Sequence, residues 1–234
     1  MASNEVKPAT SRARKAARTR MPSISTQSLS EQVAEGIVAG IAKGRFQPGE
    51  RLIEEDIADE LGVSRFPVRS ALKMLAKQGI VVLQPNRGAR VVDLDHAGVL
   101  QFAEIRWDLE CRAAGYAMAR IAQVPELAKG LDTIVATMEK AARRGDRKAV
   151  READMAFHAW IFQAADNHLL QMMWETLAKH MTIVFSFGRA EDDLVRVAAE
   201  HALLRDHIVA GNGDGYGSEL HRQLVDNNQY LKAT

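Results

Sequence analysis

The stretch "LGVSRFPVRSAL", residues 61–72, decides how the N-terminal half of the chain folds. Gly62 suits the left-handed conformation that ends a helix, and Ser64 is a favourable N-cap for the helix that follows. Pro67 then falls in the first turn of that helix, where a missing backbone N–H loses no intrahelical hydrogen bond. The stretch therefore predicts two helices joined by a tight turn.

The helix that follows Ser64 is predicted to have two different faces. Its apolar side chains, which we expect to be buried, are Val68, Leu72 and Leu75. Its basic side chains repeat every four residues and are Arg65, Arg69, Lys73 and Lys77. Because residues four apart share one side of a helix, the pattern predicts a cationic stripe. Such a stripe is either a solvated helix face or a surface for an anionic partner.

The sequence on both sides of this turn completes an ordered set of elements. Upstream, Ser28 and Glu31 fit a capping box ahead of an amphipathic helix that extends to about Lys43. A short helix follows near 54–61, with Ile57 and Leu61 predicted to face inward, and after Gly79 the stretch "IVVLQPNRGARVV" predicts a β-hairpin. Helix, helix, turn, helix and hairpin is the order of a winged helix-turn-helix. The second helix of that motif enters the DNA major groove by its N-terminal end.

This geometry predicts which side chains contact DNA. Arg65 and Arg69 lie one turn apart at the entering end, where each reaches a phosphate or the O6/N7 edge of a guanine. Arg87 and Gly88 occupy the hairpin tip and are predicted to approach the adjacent minor groove or the backbone. Together, the turn, the two arginines and the basic hairpin favour DNA over a merely solvated face.

The bulk composition is that of a soluble globular protein. The 234 residues are enough for two domains, and 47% of them are hydrophobic and 26% charged. Apolar stretches fall far short of the roughly 18 residues that suggest a membrane span. The single cysteine, Cys111, excludes an intramolecular disulfide and fits a reducing cytosol.

The charge is distributed unevenly. Residues 1–21 hold six basic side chains and one acidic side chain, so they carry a net +5, and since the whole chain is +1 the remainder is −4. We expect residues 1–21 to be a disordered basic arm. It is either a leader that only aids solubility or a segment that attracts phosphates without sequence specificity.

From about His96 the chain shows helical patterns and no further strand signal. The six predicted helices cover roughly 96–123, 125–144, 146–165, 168–187, 192–210 and 214–230. Because their connections are short, they predict an all-α bundle. The predicted fold class is therefore mainly α, with a winged helix-turn-helix and small β-hairpin wing over 22–93, and an all-α helical bundle over 94–234.

Several polar side chains of this bundle lie on helix faces that are otherwise apolar. They are Arg106, Asp154, His158, His201 and His221. An unpaired buried charge is costly, so an aspartate and three histidines that converge in a core are best satisfied by a divalent metal. Nitrogen and oxygen donors suit Zn, Ni, Fe or Mn. The alternative is that each histidine is an ordinary hydrogen-bonded core residue.

The stretch "LIEEDIADELGVSRFPVRSALKMLAKQGIVVLQPNRGARV" resembles the DNA-binding domain of GntR-family bacterial transcription regulators. The resemblance extends over about 28–92. It implies that Arg65 and Arg69 are the main operator contacts, helped by Ser64 and Gly88. Some members carry a further arginine on the preceding helix, where this chain has Glu55 and its acidic neighbour, so the resemblance leaves a third contact in question.

Residues 96–230 resemble the helical effector-binding domain of the FadR-like subgroup of that family. The resemblance implies a metal held by Asp154, His158, His201 and His221, with Arg106 facing the bound ligand. The last two histidines are twenty residues apart, slightly closer than is usual in the subgroup, and His207 is an alternative fourth ligand.

The sequence thus predicts a transcription regulator of the repressor type, acting as a homodimer on a near-palindromic double-stranded operator. We expect a small organic acid, bound between the metal and Arg106, to change its DNA affinity. One alternative is a metal-dependent hydrolase, although no H-E-x-x-H motif is present and Glu200 points about 100° away from the neighbouring His201 on a helix. Another is an architectural DNA binder with a structural metal.

Overall fold

The computed structural model describes residues 28–85, 88–186 and 193–226. The N-terminal part contains three helices and three short strands. In chain order they are α1 (Leu29–Ala42), β1 (Arg51–Leu52), α2 (Glu54–Leu61), α3 (Arg65–Lys77), β2 (Val81–Gln84) and β3 (Gly88–Val91). The predicted basic arm and Arg87 lie outside the described residues.

Local sequence signals fix the ends of these helices. Ser28 and Glu31 form the predicted capping box of α1. Gly62 ends α2 in the left-handed conformation (φ 64°, ψ 34°), and α3 then begins at Arg65, so that Pro67 is its third residue. The turn deduced from residues 61–72 is therefore confirmed.

The predicted apolar face of α3 is buried, as are most of the apolar residues of α1. Leu61, which was predicted to face inward, is exposed, and so is the apolar residue Leu29. Each lies at the end of its helix, Leu29 in the first turn of α1 and Leu61 just before the turn at Gly62, so neither is enclosed by the core that covers the helix interior.

The wing is a three-stranded antiparallel sheet in the order β1–β3–β2 rather than a two-stranded hairpin. In the expected hairpin, Val81 pairs with Val91 and Gln84 with Gly88, while β1 adds a third strand on the other side of β3. Gly88 has φ +80°, and a Cβ atom there would lie 2.6 Å from the backbone oxygen of Leu52. Glycine is therefore required for β1 and β3 to approach each other.

The C-terminal part is an all-α bundle. Its helices are α4 (His96–Gln123), α5 (Ala128–Arg143), α6 (Arg147–Ala164), α7 (His168–Ser186), α8 (Leu194–Val209) and α9 (Gly213–His221). A 3-10 turn, Pro125–Leu127, precedes α5, and a π-helical turn, Arg222–Asp226, follows α9. These elements confirm the predicted mainly α fold class, although the last α-helix ends nine residues earlier than the predicted 230.

Each part has its own apolar core. The bundle core surrounds large side chains that are completely enclosed, among them Phe157, Phe162 and Tyr216. The two parts meet where α7 packs along α1, and Lys179 Nζ of α7 donates a hydrogen bond to Oε1 of Gln78 at 3.0 Å. Among the described helices, none has the length and apolar character needed to cross a membrane.

Candidate nucleic-acid interface and metal centre

The N-terminal end of α3 presents the predicted DNA contacts to solvent. Ser64 occupies the N-cap position with an extended backbone, but its hydroxyl makes no capping hydrogen bond. Arg65 and Arg69 are both exposed, one turn apart, as predicted. An exposed helix N-terminus with two guanidinium groups is a suitable surface for phosphates and for guanine edges.

Both arginines are paired with carboxylates of α2, which the sequence reasoning did not foresee. Arg69 donates to Glu54 from Nε and Nη2, at 3.0 and 2.8 Å from Oε2, and Arg65 pairs with Glu55. The hydrogen bond and the charge of Glu54 raise the pKa of Arg69. The signal available in the sequence was the acidic first turn of α2.

A groove of about 780 Å³ lies between α2, α3 and the wing. It is lined by Arg51, Arg65, Arg69 and Lys73, by Glu54 and Glu55, and by Gly88. Arg51 on β1 was not among the predicted contacts. Since the basic residues of this lining outnumber the acidic ones, and the groove is bounded by the two elements that a winged helix presents to DNA, its geometry suits a phosphate backbone.

The bundle brings together three of the predicted metal ligands. Asp154 and His158 come from α6 and His201 from α8, and one candidate ligand atom from each lies within 4.8 Å of the others. His201 Nε2 is 2.9 Å and His158 Nε2 3.8 Å from Asp154 Oδ1. The two histidines are buried and the aspartate is nearly so.

The protonation of His201 shows why a cation fits this cluster. Its Nδ1 lies 2.8 Å from the carbonyl oxygen of Val197, and since a carbonyl only accepts, Nδ1 carries the proton. Its Nε2 then faces the Asp154 carboxylate, yet neither Nε2 nor Asp154 Oδ2 has a hydrogen-bond partner among the described residues. A lone pair and a carboxylate this close need a positive charge between them, either a proton or a metal ion.

The pKa directions agree with this electrostatic picture. Burial raises the pKa of Asp154, but His201, His158 and Arg106 outweigh burial and hold that pKa at about 2. Burial lowers the pKa of His158, which is therefore neutral. Burial also opposes the charged form of His201, but its contact with Asp154 prevails and raises the pKa. The donor set of one carboxylate and two imidazoles suits a divalent transition metal.

Glu110 is a functional candidate that the sequence reasoning missed. This fully buried carboxylate of α4 accepts from Arg106 Nε at 2.5 Å and lies 2.7 Å from His158 Nδ1. It therefore assigns the proton of His158 to Nδ1 and leaves Nε2 as the side for a ligand. Arg106 Nη2 is 2.7 Å from that Nε2. The sequence signal was the four-residue interval between Arg106 and Glu110 on one helix face.

His221 does not lie with the other three candidate ligands. It is the last residue of α9, its side chain is 43% exposed, and its Nδ1 is 3.6 Å from Asp226 Oδ2 in the π-helical turn that follows. Its ring packs edge-on against Trp107. Among the described residues, the group with mutually close ligand atoms therefore contains three of the four predicted ligands, and His221 as the fourth stays a prediction. His207, the alternative, contacts Asn212 instead.

The hydrolase alternative required a base beside the metal. Glu200, the acidic neighbour of His201, is 3.3 Å from Arg222 Nη2 and 4.0 Å from Arg196 Nη1. Its carboxylate is thus held in ion pairs and is not directed at the cluster of Asp154, His158 and His201.

The fold and the two sites define a class of protein, namely a winged-helix DNA-binding regulator with a second, all-α domain. The chain belongs to the GntR family of bacterial regulatory proteins: residues 29–91 match the profile described as "Bacterial regulatory proteins, gntR family", and residues 101–226 match the FCD domain, the FadR-like C-terminal domain of such regulators.

Relatives of known role are regulators. The gluconate operon transcriptional repressor of Bacillus subtilis is 31% identical over 87% of this chain and 85% of its own length. The probable D-xylose utilization operon transcriptional repressor of Paenarthrobacter nicotinovorans is 29% identical over 79% of this chain and 80% of its own length. In fold, the chain is similar to E. coli McbR/YncC, with a TM-score of 0.74 at 23% identity over 88% of this chain and 98% of that one. The prediction of a regulator rather than an enzyme is confirmed.

Proposed function

We propose that this GntR-family regulator represses transcription by binding DNA through α3 and the wing, and that a small carboxylate bound in the bundle changes its DNA affinity. The observation that carries the proposal is the buried cluster of Asp154, His158 and His201 beside the Arg106 guanidinium. Such a concentration of charge inside a helical bundle serves no evident packing purpose, since apolar residues would fill the same volume at less cost.

On the DNA side, Arg65 and Arg69 provide the charge and the hydrogen-bond donors. On binding, their carboxylate partners Glu55 and Glu54 are exchanged for phosphates or guanine edges. Because the exposed ion pairs are weak, this exchange costs little. Gly88 allows the wing backbone to approach the duplex closely, and Ser64 has a hydroxyl that is not used for capping.

On the effector side, Asp154, His158 and His201 would hold a divalent ion, with Zn, Ni, Fe and Mn as the candidates. The ion would supply an electrostatic anchor for a carboxylate. Arg106 donates from Nε to Glu110, while its Nη2 lies 2.7 Å from His158 Nε2, the same nitrogen that would hold the ion. Binding of the ion at that nitrogen would release Nη2, which together with the remaining N–H donors of the guanidinium is available to a carboxylate oxygen. Gluconate, after whose operon the Bacillus subtilis relative is named, belongs to this chemical class.

The unit that binds DNA is proposed to be a homodimer. Each chain supplies one recognition helix, and a near-palindromic operator requires two of them related by a two-fold axis. The effector acts allosterically by binding more tightly to one relative orientation of the two recognition helices than to the other.

The test is a thermal-shift screen of small organic acids, gluconate included, with the full chain in the presence and absence of EDTA. A ligand that binds the native state raises the melting temperature. We expect at least one acid to do so only without EDTA, and the same acid to change the affinity for DNA. If no acid shifts the melting temperature while DNA binding is sequence-specific, the chain is instead an architectural DNA binder with a structural cation site.

A further inference from the structure

Phe66 is the most exposed large hydrophobic residue of the described chain. The residue is 78% exposed, although the two residues that follow, Pro67 and Val68, are both buried. It is the second residue of α3 and directly follows Arg65. With about 100° of rotation per residue, Phe66 lies roughly 60° from Arg69 and roughly 20° from Lys73 around the helix. A phenyl ring thus lies on the cationic face, toward the edge formed by Lys73.

Folding does not explain this ring. Phe66 is neither part of the core cluster of the N-terminal domain nor among the partly buried residues packed against it. An aromatic side chain carries a large apolar surface, and leaving it in water forfeits the stabilisation that burial would give. The ring is therefore placed where a partner can cover it.

The surroundings of the ring indicate the chemistry of that partner. Arg65, Arg69 and Lys73 are exposed around it and line the groove between α3 and the wing. A partner must therefore be anionic and must also offer an apolar group at short range. The DNA major groove has both, because phosphates border it and each thymine presents a 5-methyl group in it. Phenylalanine is one of the side chains that contact this methyl group.

We propose that Phe66 is a specificity-determining residue that contacts the 5-methyl group of a thymine in the major groove, beside the phosphates or guanines bound by Arg65 and Arg69. The inference rests on the proposed DNA binding and adds a base preference to it. Each half-site accordingly contains a thymine that the arginines do not select.

The experiment uses the full chain and DNA duplexes selected by it from a random-sequence library at fixed salt. Affinity is then measured for the selected duplex and for versions in which deoxyuridine replaces each thymine in turn, which removes only the methyl group. We expect one position at which this replacement weakens wild-type binding about fourfold, the value of one buried methyl-sized group.

The variant Phe66→Ala completes a double-mutant cycle. It is expected to bind the selected duplex about fivefold more weakly, since it loses the methyl contact, and to bind the deoxyuridine version no more weakly than the thymine version. Leu29→Ala is the matched control, because Leu29 is also an exposed apolar residue but begins α1. It should behave as the wild type, and both variants should keep the wild-type melting temperature.

Two results would overturn the inference while the proposed function stands. In one, Phe66→Ala keeps the wild-type sensitivity to deoxyuridine. In the other, it weakens binding equally for selected and random duplexes, as a ring that packs on sugars would do. If the wild-type chain selects no sequence at all, the proposed function itself has failed, and the inference fails with it.

Discussion

Glu110 is a charged residue whose partners are all inside the bundle. Its carboxylate lies between Arg106 and His158, and the Tyr216 hydroxyl is 3.4 Å away. Burial favours the neutral form of Glu110, but the positive charge of Arg106 and the hydrogen bonds from Arg106 and His158 outweigh burial and hold the pKa of Glu110 at about 2. The group is therefore ionised at neutral pH, and it compensates a buried guanidinium.

Removing this carboxylate leaves the Arg106 charge buried with no acid in contact. We expect Glu110→Ala to lower the free energy of unfolding of the metal-free protein by about 3–5 kcal/mol, measured by urea denaturation. The double variant Arg106→Met with Glu110→Leu is the control, since replacing a whole buried ion pair with apolar groups is often neutral. A loss below about 1 kcal/mol in the single variant would mean that water compensates Arg106.

At the proposed DNA-binding face, the ion pair between Arg69 and Glu54 leads to opposite predictions for the two residues. Arg69→Ala is expected to weaken binding to the selected duplex by about 1–3 kcal/mol, if the contact is a bidentate one to guanine. Glu54→Gln removes a negative charge that competes with DNA, so it should strengthen binding to random duplexes, by about 1 kcal/mol or less for an exposed pair. Both are measured by fluorescence anisotropy at matched salt. Equal weakening by both variants would show that Glu54 mainly positions Arg69.

Single residues were predicted where a local rule decides them. The spacing of Asp154 and His158 places both on one helix face, and the apolar stripe around His201 turns that residue inward. Neither rule applies to His221, because this residue lies at the junction of α9 and a π-helical turn that the sequence pattern does not predict. Glu110 was missed because a lone acidic residue is normally read as solvated, and only tertiary packing buries it.

Among the elements, the wing is held together at Gly88 by a close backbone approach between β1 and β3 rather than by side-chain packing. Gly88 combines a positive φ with a close approach to Leu52 of β1. The resemblance to the family gave Gly88 a role at DNA, whereas the geometry gives it a role in folding. The strand β1 itself was not predicted, since two residues are too few to form an alternating pattern.

Gly88→Ala should therefore lower stability as well as DNA affinity. The left-handed conformation alone costs a residue with a Cβ about 1–2 kcal/mol, and the contact with the Leu52 oxygen adds to this. We expect a clear loss in the free energy of unfolding by guanidinium denaturation. Gly36→Ala is the matched control. Gly36 is in α1 with open space around it, so alanine should stabilise the helix by about 0.5–1 kcal/mol. Unchanged stability in Gly88→Ala would restrict this glycine to the DNA contact.

The helices of both halves were predictable because capping and periodicity act over a few residues. Three such signals mark helix boundaries in the structure. They are the capping box of Ser28 and Glu31, the turn at Gly62, and Gly145, which follows α5 with a positive φ. The end of α9 was not predictable, because the π-helical turn that follows it differs from an α-helix only in hydrogen-bond register.

In the whole molecule, the bundle contacts α3 at the C-terminal end of that helix. Gln78, which accepts the hydrogen bond from Lys179, is the C-cap residue of α3, and α7 continues from there into the bundle core through Trp174. Trp174 in turn lies beside His158, with ring centroids 6.4 Å apart. Trp174 and Lys179 of α7 thus contact both the cluster of Asp154, His158 and His201 and the C-terminal end of α3.

The stability of the whole molecule provides the test of the metal site. A divalent ion that binds only the folded chain stabilises it by about 2.7 kcal/mol at a hundredfold excess over the dissociation constant. We expect Zn²⁺ or Ni²⁺, added to protein stripped with EDTA, to raise the melting temperature. Asp154→Asn should abolish the increase, because it removes the carboxylate charge that faces both histidines.

His221→Ala separates the three-residue cluster from the four-ligand arrangement, and should keep the increase in melting temperature if His221 stays with Asp226. Loss of the increase in His221→Ala would mean that the end of α9 moves inward when the ion binds, whereas no increase in the wild type would leave a proton as the positive charge between Asp154 and His201.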